Sequence, residues 1–213
     1  MIQYEGSDDL VAHMLGLVDG AQVSVEVGAY AAEFSRQIAA DHPHMRVIAM
    51  EANPHNWATY APTMPERVEY LHAAACEHDG TVPFQVMSRV MGANIGLVAG
   101  NNGLRERSDN GIEYQTPSVP ASRIDTLLAR RNLTGLPNVM WWDVEGAQDR
   151  VIAGAPIALS RCLALMVEVE ERAYWQGQPL AGDVDAMLQT YGLVAIARDH
   201  EFPEQHNRIY VPR

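Results

Sequence analysis

The chain has 213 residues, 47% of them hydrophobic, and a net charge of −12 with Arg supplying all fifteen basic side chains. That is enough for one good core, and with no repeat or Pro/Gly/Ser linker to divide it a single domain over 1–213 is expected. An acidic surface repels phosphate backbones, which excludes nucleic acid as a partner. The sequence has no apolar run long enough to span a membrane, no signal-like N-terminus, and only two distant cysteines, Cys76 and Cys162, so a soluble cytoplasmic protein without a membrane partner is expected.

A helix is predicted within 7–20, where SDDLVAHMLGLV opens with capping residues and places Leu10, Val11, Met14, Leu15 and Val18 at helical spacing. It either packs on the core or covers a site. The next stretch, Val23 to Asn53, organises the rest. Val23, Val25 and Val27 alternate as a strand, Gly28 marks a tight turn, and AAEFSRQIAADH reads as a helix with Phe34 and Ile38 on its buried side. Pro43 ends it, and Val47 to Met50 follow as a buried strand closed by Glu51. A carboxylate there, about 20 residues past the glycine turn, is where a doubly wound sheet holds two ribose hydroxyls. Gly28 is followed by Ala29, Tyr30, Ala31 and Ala32 rather than by more glycines, which suits a nucleoside without phosphates, such as S-adenosylmethionine.

Asn53 and Pro54 then start a helix through NWATYAP, whose Trp57 and Tyr60 are either adenine-packing or core aromatics. Val68 to Ala73 is a third strand ending at Ala74 and Ala75, small enough for a flat ring to approach. His72 reads as a structural histidine before a base. CEHDGTVPFQVM holds an Asp-Gly turn and an added hairpin strand. Residues 88–122, rich in Gly, Asn and Ser, read as a long substrate-facing or lid loop, the alternative being plain disorder or a partner-binding edge.

Helical spacing returns in SRIDTLLARR. Val139 to Trp142 is a strand that delivers Asp143, Glu145 and Gly146 to its C-terminal edge, where open α/β sheets bind ligands. A helix over Gly146 to Ala155 and a fifth strand, Cys162 to Val169, follow, the latter ending in Glu168, Glu170 and Glu171. A helix over Val184 to Tyr191 and strands Leu193 to Ala197 and Arg208 to Val211 complete the pattern.

Taken together, VSVEVGAYAAEFS, VIAMEANPHN, HAAACEHDG, RIDTLL and above all WWDVEGAQDRVIAGA resemble the FkbM family of S-adenosylmethionine-dependent methyltransferases, over about Val23 to Glu170. Asp143, Glu145, Gly146, Gly154 and Ala155 fit its central signature. Trp141 stands where the family usually has Lys, Glu26 where it has Asp, and Ala32 where the turn has a second glycine, which suggests a slightly wider turn. The resemblance implies an α/β fold: a doubly wound, mostly parallel seven-stranded sheet of the class I methyltransferase (Rossmann-like) type, with helices on both faces and the long loop inserted. It implies O-methylation, commonly of sugar hydroxyls. Gly28, Ala29 and Tyr30 would offer backbone contacts to the methionine part of the cofactor, Glu26 would favour its ammonium and Glu51 would hold its ribose. Ala52, Asn53 and Ala74 would line the same site.

On the acceptor side Asp143 and Glu168 are the catalytic candidates, and two carboxylates at neighbouring strand ends can also hold Mg2+, which oxygen ligands favour over zinc. The plainer alternative is that Asp143 caps the next helix and Glu168 pairs with an Arg. His72, His200 and His206 are further candidate bases. The expected partner is a small-molecule or oligosaccharide acceptor, and a homodimer is left open. Three rivals stay in view: a nicotinamide-dependent oxidoreductase, against which the missing glycines argue; a non-catalytic member of the fold; and an N-methyltransferase.

Overall fold

All five residues of the strand Val23–Val27 are buried, and a strand shielded on both faces needs helices on both sides of its sheet. The computed structural model describes residues 1–200 and 202–213 and provides that arrangement. In chain order the first elements are β1 (Ile2–Gln3), α1 (Ser7–Leu15), β2 (Val23–Val27), α2 (Glu33–Asp41), β3 (Arg46–Glu51), α3 (Pro54–Tyr60) and β4 (Val68–His72). Then come β5 (Ala74–Ala75), β6 (Gly80–Pro83), β7 (Val86–Val90), β8 (Ala93–Asn94), β9 (Ile112–Gln115) and β10 (Ser118–Ser122). The remainder is α4 (Ile124–Ala129), β11 (Asn138–Trp142), α5 (Gln148–Ala153), α6 (Pro156–Leu159), β12 (Cys162–Glu170), α7 (Ala181–Gln189), β13 (Leu193–Arg198) and β14 (Gln205–Pro212).

The main sheet runs β1-β13-β14-β12-β11-β2-β3-β4. Every neighbouring pair is parallel except those of β14, which is antiparallel to both β12 and β13. Seven of these strands are the expected ones. The eighth, β1, is a two-residue edge strand pairing Ile2 and Gln3 with Ala197 and Arg198. From β2 the chain winds outward to β3 and β4, then returns to β11 on the other side of β2, so the winding reverses between β2 and β11. Open sheets of this kind bind ligands at that reversal, beyond the strands' C-terminal ends.

Alternation along the strands splits the core between the two faces. Val23, Val25, Val27, Ile48 and Met50 pack with Leu127 of α4, Val151 of α5 and Leu188 of α7. Val47, Ala49, Val139 and Met166 face the other way, against Leu10 and Met14 of α1 and Phe34 and Ile38 of α2. The α1 helix therefore packs on the core through Leu10 and Met14 while its Asp8, Val11 and Leu15 line a cleft, and Phe34 and Ile38 sit on the buried face the spacing assigned to them.

The segment 88–122 is not one long loop. It contributes β8, β9 and β10, which join β5 to β7 in two small three-stranded sheets, β5-β10-β6 and β8-β7-β9. The Asp-Gly turn does not make a local hairpin either: β6 pairs antiparallel with β10, some 35 residues later in the chain.

Candidate active site

The turn after β2 is built around Gly28 (φ +72°), where an added Cβ would fall 1.7 Å from the carbonyl oxygen of Asp143. Only glycine lets the first strand's turn lie against the end of β11, and that closeness brings the cofactor-type turn and Asp143 together. Tyr30 (φ 45°) and Ala32 (φ 55°) also adopt the left-handed region that side chains disfavour. Ala32 therefore does not widen the turn; it keeps a glycine-like backbone and strains to do so. Strained residues held by their surroundings cluster at functional sites.

Glu51, at the end of β3, is buried. Its Oε2 accepts from the Tyr30 backbone N–H at 2.7 Å and its Oε1 from that of Asn53 at 2.6 Å. Burial pushes its pKa up to about 7 against those two bonds. The carboxylate is thus fixed in orientation with lone pairs to spare. It faces a cleft of about 570 Å3, open mouth included, whose walls include Gly28, Tyr30, Ala52, Asn56, Ala74, Phe84 and Asp143. A lining that combines the small residues of β5, the Phe84 ring and the Glu51 carboxylate suits a flat base joined to a ribose. The segment 88–122 closes one side through Gly100, Asn102, Gly103 and Leu104. It is pinned there by Asn53, whose Nδ2 donates to Leu97 O at 2.9 Å, and by Asn56, which exchanges two hydrogen bonds with the backbone of Ala99.

Several expected cofactor contacts are corrected. Asn53 is fully buried and does not line the cleft; its side chain caps α3 and tethers the segment, and Asn56 takes the place in the wall. The N–H groups of Gly28 and Ala29 both donate to Met50 O at 3.0 Å, and that of Tyr30 donates to Glu51. None of the three is left to donate to a ligand, so their contribution is shape and carbonyl oxygens. Trp57 and Tyr60 prove to be packing aromatics: Trp57 stacks on His72 at 5.3 Å, and Tyr60 meets Tyr30 edge-on at 4.9 Å. His72 itself is bonded to Ala52 O at 3.2 Å, a satisfied structural histidine.

A second cleft continues past the turn, walled by Glu26, Gly28, Ala29, Tyr30, Glu33, Trp141 and Asp143. Glu26 lies at its base with Oε2 accepting from Ser35 N at 2.8 Å, and burial raises its pKa to about 7. A ligand ammonium in this cleft would meet a carboxylate ready to ionise. A third and larger cleft lies between α1, α2 and the end of the sheet, lined by Asp8, Gln37, Trp141, Asp143, Glu168, Gln205 and Asn207 among others. Asp143 lines all three clefts.

Around Asp143 the ends of β11 and β12 gather Glu145, Glu168 and Glu170. One carboxylate oxygen from each of Asp143, Glu145 and Glu168 lies within 4.8 Å of the others. Glu145 reaches the group because its backbone is left-handed (φ 49°), with Gly146 following at φ 78° under the Trp175 ring. Burial, then mutual repulsion, raises Glu145 and Glu168 well above the ordinary carboxylate range, and burial raises Asp143 and brings Glu170 to about 7. Asp143 does not cap α5, since that helix start has no side-chain cap, and its Oδ1 has no hydrogen-bond partner. Glu168 pairs with the Gln205 amide rather than with an Arg. Among the histidines His206 lines the third cleft, but burial and the nearby arginines lower its pKa to about 3, which makes it a weak base. His200 is bonded to Gln3 at 2.6 Å outside the acid group.

Other quoted segments prove structural. Asp125 of RIDTLL accepts from the backbone N–H groups of Ile157 and Ala158 at the start of α6. Asp79 of the Asp-Gly turn accepts from Ser122, Arg123 and Thr126. Gly154 admits the Cys76 carbonyl, 2.1 Å from where its Cβ would be.

A sheet of this order, with a glycine turn and strand-end acids lining the clefts beyond it, has the architecture of a class I methyltransferase. The methyltransferase FkbM domain matches residues 26–194. The chain belongs to that family and is an S-adenosylmethionine-dependent methyltransferase. It is 24% identical over 182 residues to the 2-O-methyltransferase NoeI of Sinorhizobium fredii, covering 81% of this chain and 73% of that protein. Two solved structures share the fold. One is a protein of Listeria monocytogenes assigned as an S-adenosylmethionine dependent methyltransferase (TM-score 0.53, 5% identity, 98% of this chain and 100% of that one). The other is the N-terminal domain of EvdMO1, solved with S-adenosylhomocysteine bound (TM-score 0.51, 11% identity, 98% and 81%). Among the described residues no helix is long and apolar enough to cross a membrane.

Proposed function

We propose that the enzyme transfers a methyl group to a hydroxyl of a sugar or oligosaccharide acceptor. The observation that carries this reading is the convergence of the three clefts on Asp143, which gives two ligands a common point of contact beside acid groups. The acceptor side is lined by carboxylates, amides and aromatic rings, the mixture that suits a neutral polyhydroxylated molecule. The name of the NoeI relative, a 2-O-methyltransferase, agrees.

S-adenosylmethionine supplies a methyl group already activated on a sulfonium sulfur. Glu51 would hold the ribose, the wall that includes Ala74 and Phe84 would receive the base, and Glu26 would face the ammonium. Bound there, the cofactor would supply a methyl carbon for an acceptor hydroxyl oxygen, the carbon–sulfur pair remaining on sulfur, and Asp143 or Glu168 would take the hydroxyl proton. An acid whose pKa is raised is a stronger base once ionised, so the burial that makes these groups reluctant to ionise also fits them to accept that proton. Asp143, Glu145 and Glu168 together offer an all-oxygen set for a magnesium ion, which would hold adjacent acceptor hydroxyls.

The test is incubation with methyl-labelled S-adenosylmethionine and a panel of neutral glycans, the product's position read by mass spectrometry. Label on a sugar oxygen, lost in Asp143→Asn, supports the reading; label on nitrogen refutes it. Activity indifferent to EDTA and to added magnesium removes the metal from it.

A further inference from the structure

The acceptor cleft does not end at Glu168. Its outer wall is formed by Phe202 and Gln205, and both residues also line a separate cavity on their far side, completed by Arg107, Tyr174, Trp175 and Glu204. The two hollows share a rim. Gln205 bridges them chemically, since its amide nitrogen donates to Glu168 Oε1 while its side chain borders the second cavity. Phe202 is 55% exposed although its ring is large and apolar. Arg107 is held in place from several directions: its guanidinium lies 5.1 Å over the Trp175 ring and 5.5 Å from the Tyr174 ring, its Nε donates to Asp109 at 3.0 Å, and its backbone N–H donates to Tyr114 Oη. Among the described residues its two terminal nitrogens donate to no partner, so a stacked guanidinium faces the cavity with donors to spare.

We infer that this cavity is a second acceptor subsite, which takes the sugar unit next to the one that is methylated. An exposed aromatic ring offers the flat apolar patch that the CH face of a pyranose covers. A fixed guanidinium, an amide and a carboxylate around it match the ring's hydroxyls in both donor and acceptor sense. A lone hydroxylated metabolite would fill only the inner cleft. The continuous pair of hollows fits an oligosaccharide, with Gln205 between its two units.

This inference rests on the hydroxyl-methylating reading, and its test separates the two. The probes are methyl glycosides of glucose, galactose, mannose, fucose and rhamnose, and disaccharides and trisaccharides ending in the same sugars. For whichever sugar accepts the label, the wild type is expected to show a kcat/KM at least about tenfold higher for the disaccharide than for the monosaccharide, the equivalent of about 1.4 kcal/mol. Phe202→Ala and Arg107→Gln are each expected to lower that ratio about tenfold, through KM rather than kcat. No length preference in the wild type, or a ratio unmoved in both variants, overturns the subsite. If no glycan accepts a methyl group, the hydroxyl-methylating reading fails. Saturation-transfer NMR of the same disaccharides against the protein loaded with S-adenosylhomocysteine then decides the subsite: binding lost in Phe202→Ala supports it, and absence of binding in the wild type overturns it.

Discussion

Replacing Glu26 by Gln should flatten the pH dependence of stability. Glu26 is buried in the wall of the second cleft with one backbone N–H donated to it, and its pKa in the fold is about 7 against an ordinary 4.5. A carboxyl whose pKa is raised by folding favours the fold when protonated. Its contribution is complete below the unfolded value and is lost as pH rises through the folded one. At about 1.4 kcal/mol per pH unit the full effect is roughly 3 kcal/mol, of which roughly 2 kcal/mol develops between pH 5 and pH 8. Glutamine keeps the shape and an oxygen for Ser35 N–H but cannot ionise. Urea unfolding at half-unit intervals from pH 5 to 8 should therefore show the wild type losing about 2 kcal/mol more than the variant over that range. For a chain of this length that is about 4–8 °C in Tm. S-adenosylhomocysteine, whose ammonium would sit against the ionised carboxylate, should bind the variant more weakly at pH 8. Stability curves that stay parallel in wild type and variant would refute both the buried position of Glu26 and the cause assigned to its pKa.

Three further outcomes are expected. Glu51→Ala should weaken S-adenosylhomocysteine binding tenfold or more by calorimetry, because a charged hydrogen bond to the ribose contributes roughly 1.5–3 kcal/mol; unchanged affinity would move the ribose elsewhere. Gly28→Ala should abolish the folded state or shift it grossly, read by circular dichroism and yield, since its methyl would lie 1.7 Å from the Asp143 carbonyl oxygen. Ala32→Gly should leave stability unchanged or raise it by up to about 1 kcal/mol in a denaturant titration, because relief of a left-handed alanine, about 1–2 kcal/mol, outweighs the added freedom of the unfolded glycine, about 0.4–1 kcal/mol; a clear loss would mean that Ala32 is not strained.

The strands that form the site were legible because burial on both faces leaves β-branched runs, as in Val23 to Val27 and Val47 to Met50, and because each ends at an acid or glycine. Glu51 and Asp143 could be placed at strand ends for that reason. What escaped was set by distant contacts. The exposed pair Ile2–Gln3 joins the sheet only because Ala197 and Arg198 offer an edge. Within 88–122 β9 and β10 are short and pair with residues far along the chain, and β8, which pairs locally with β7, is only two residues long, so no periodicity announces them. Glu145 stands in the D-x-E-G run beside Asp143, but its place in the acid group depends on a left-handed backbone that spacing does not reveal. Asn53 was misplaced in the cofactor site because a cap residue and a cleft residue look alike in sequence; Asn56, one helical turn on, faces the cleft.

The substitution of Trp141 for the family's usual lysine bears on all of these groups at once. Asp143, Glu145, Glu168 and Glu170 crowd the ends of two neighbouring strands, and among the described residues Arg107 is the cation whose field lowers Glu145 and Glu170. A lysine at position 141 would stand beside Asp143 and hold it ionised; the indole instead packs edge-on against Phe34 at 5.4 Å and walls both clefts. Without that charge burial and mutual repulsion leave the acids holding their protons more tightly than ordinary carboxyls, unless a ligand brings a cation. An anionic acceptor would add to the repulsion rather than relieve it. Charge balance at Asp143 therefore disfavours an anionic acceptor. Restoring the lysine by Trp141→Lys should lower the pH at which methyl transfer reaches half its maximum, as the ammonium favours the ionised base; a pH profile that does not move would show that Asp143 is not the group that accepts the proton.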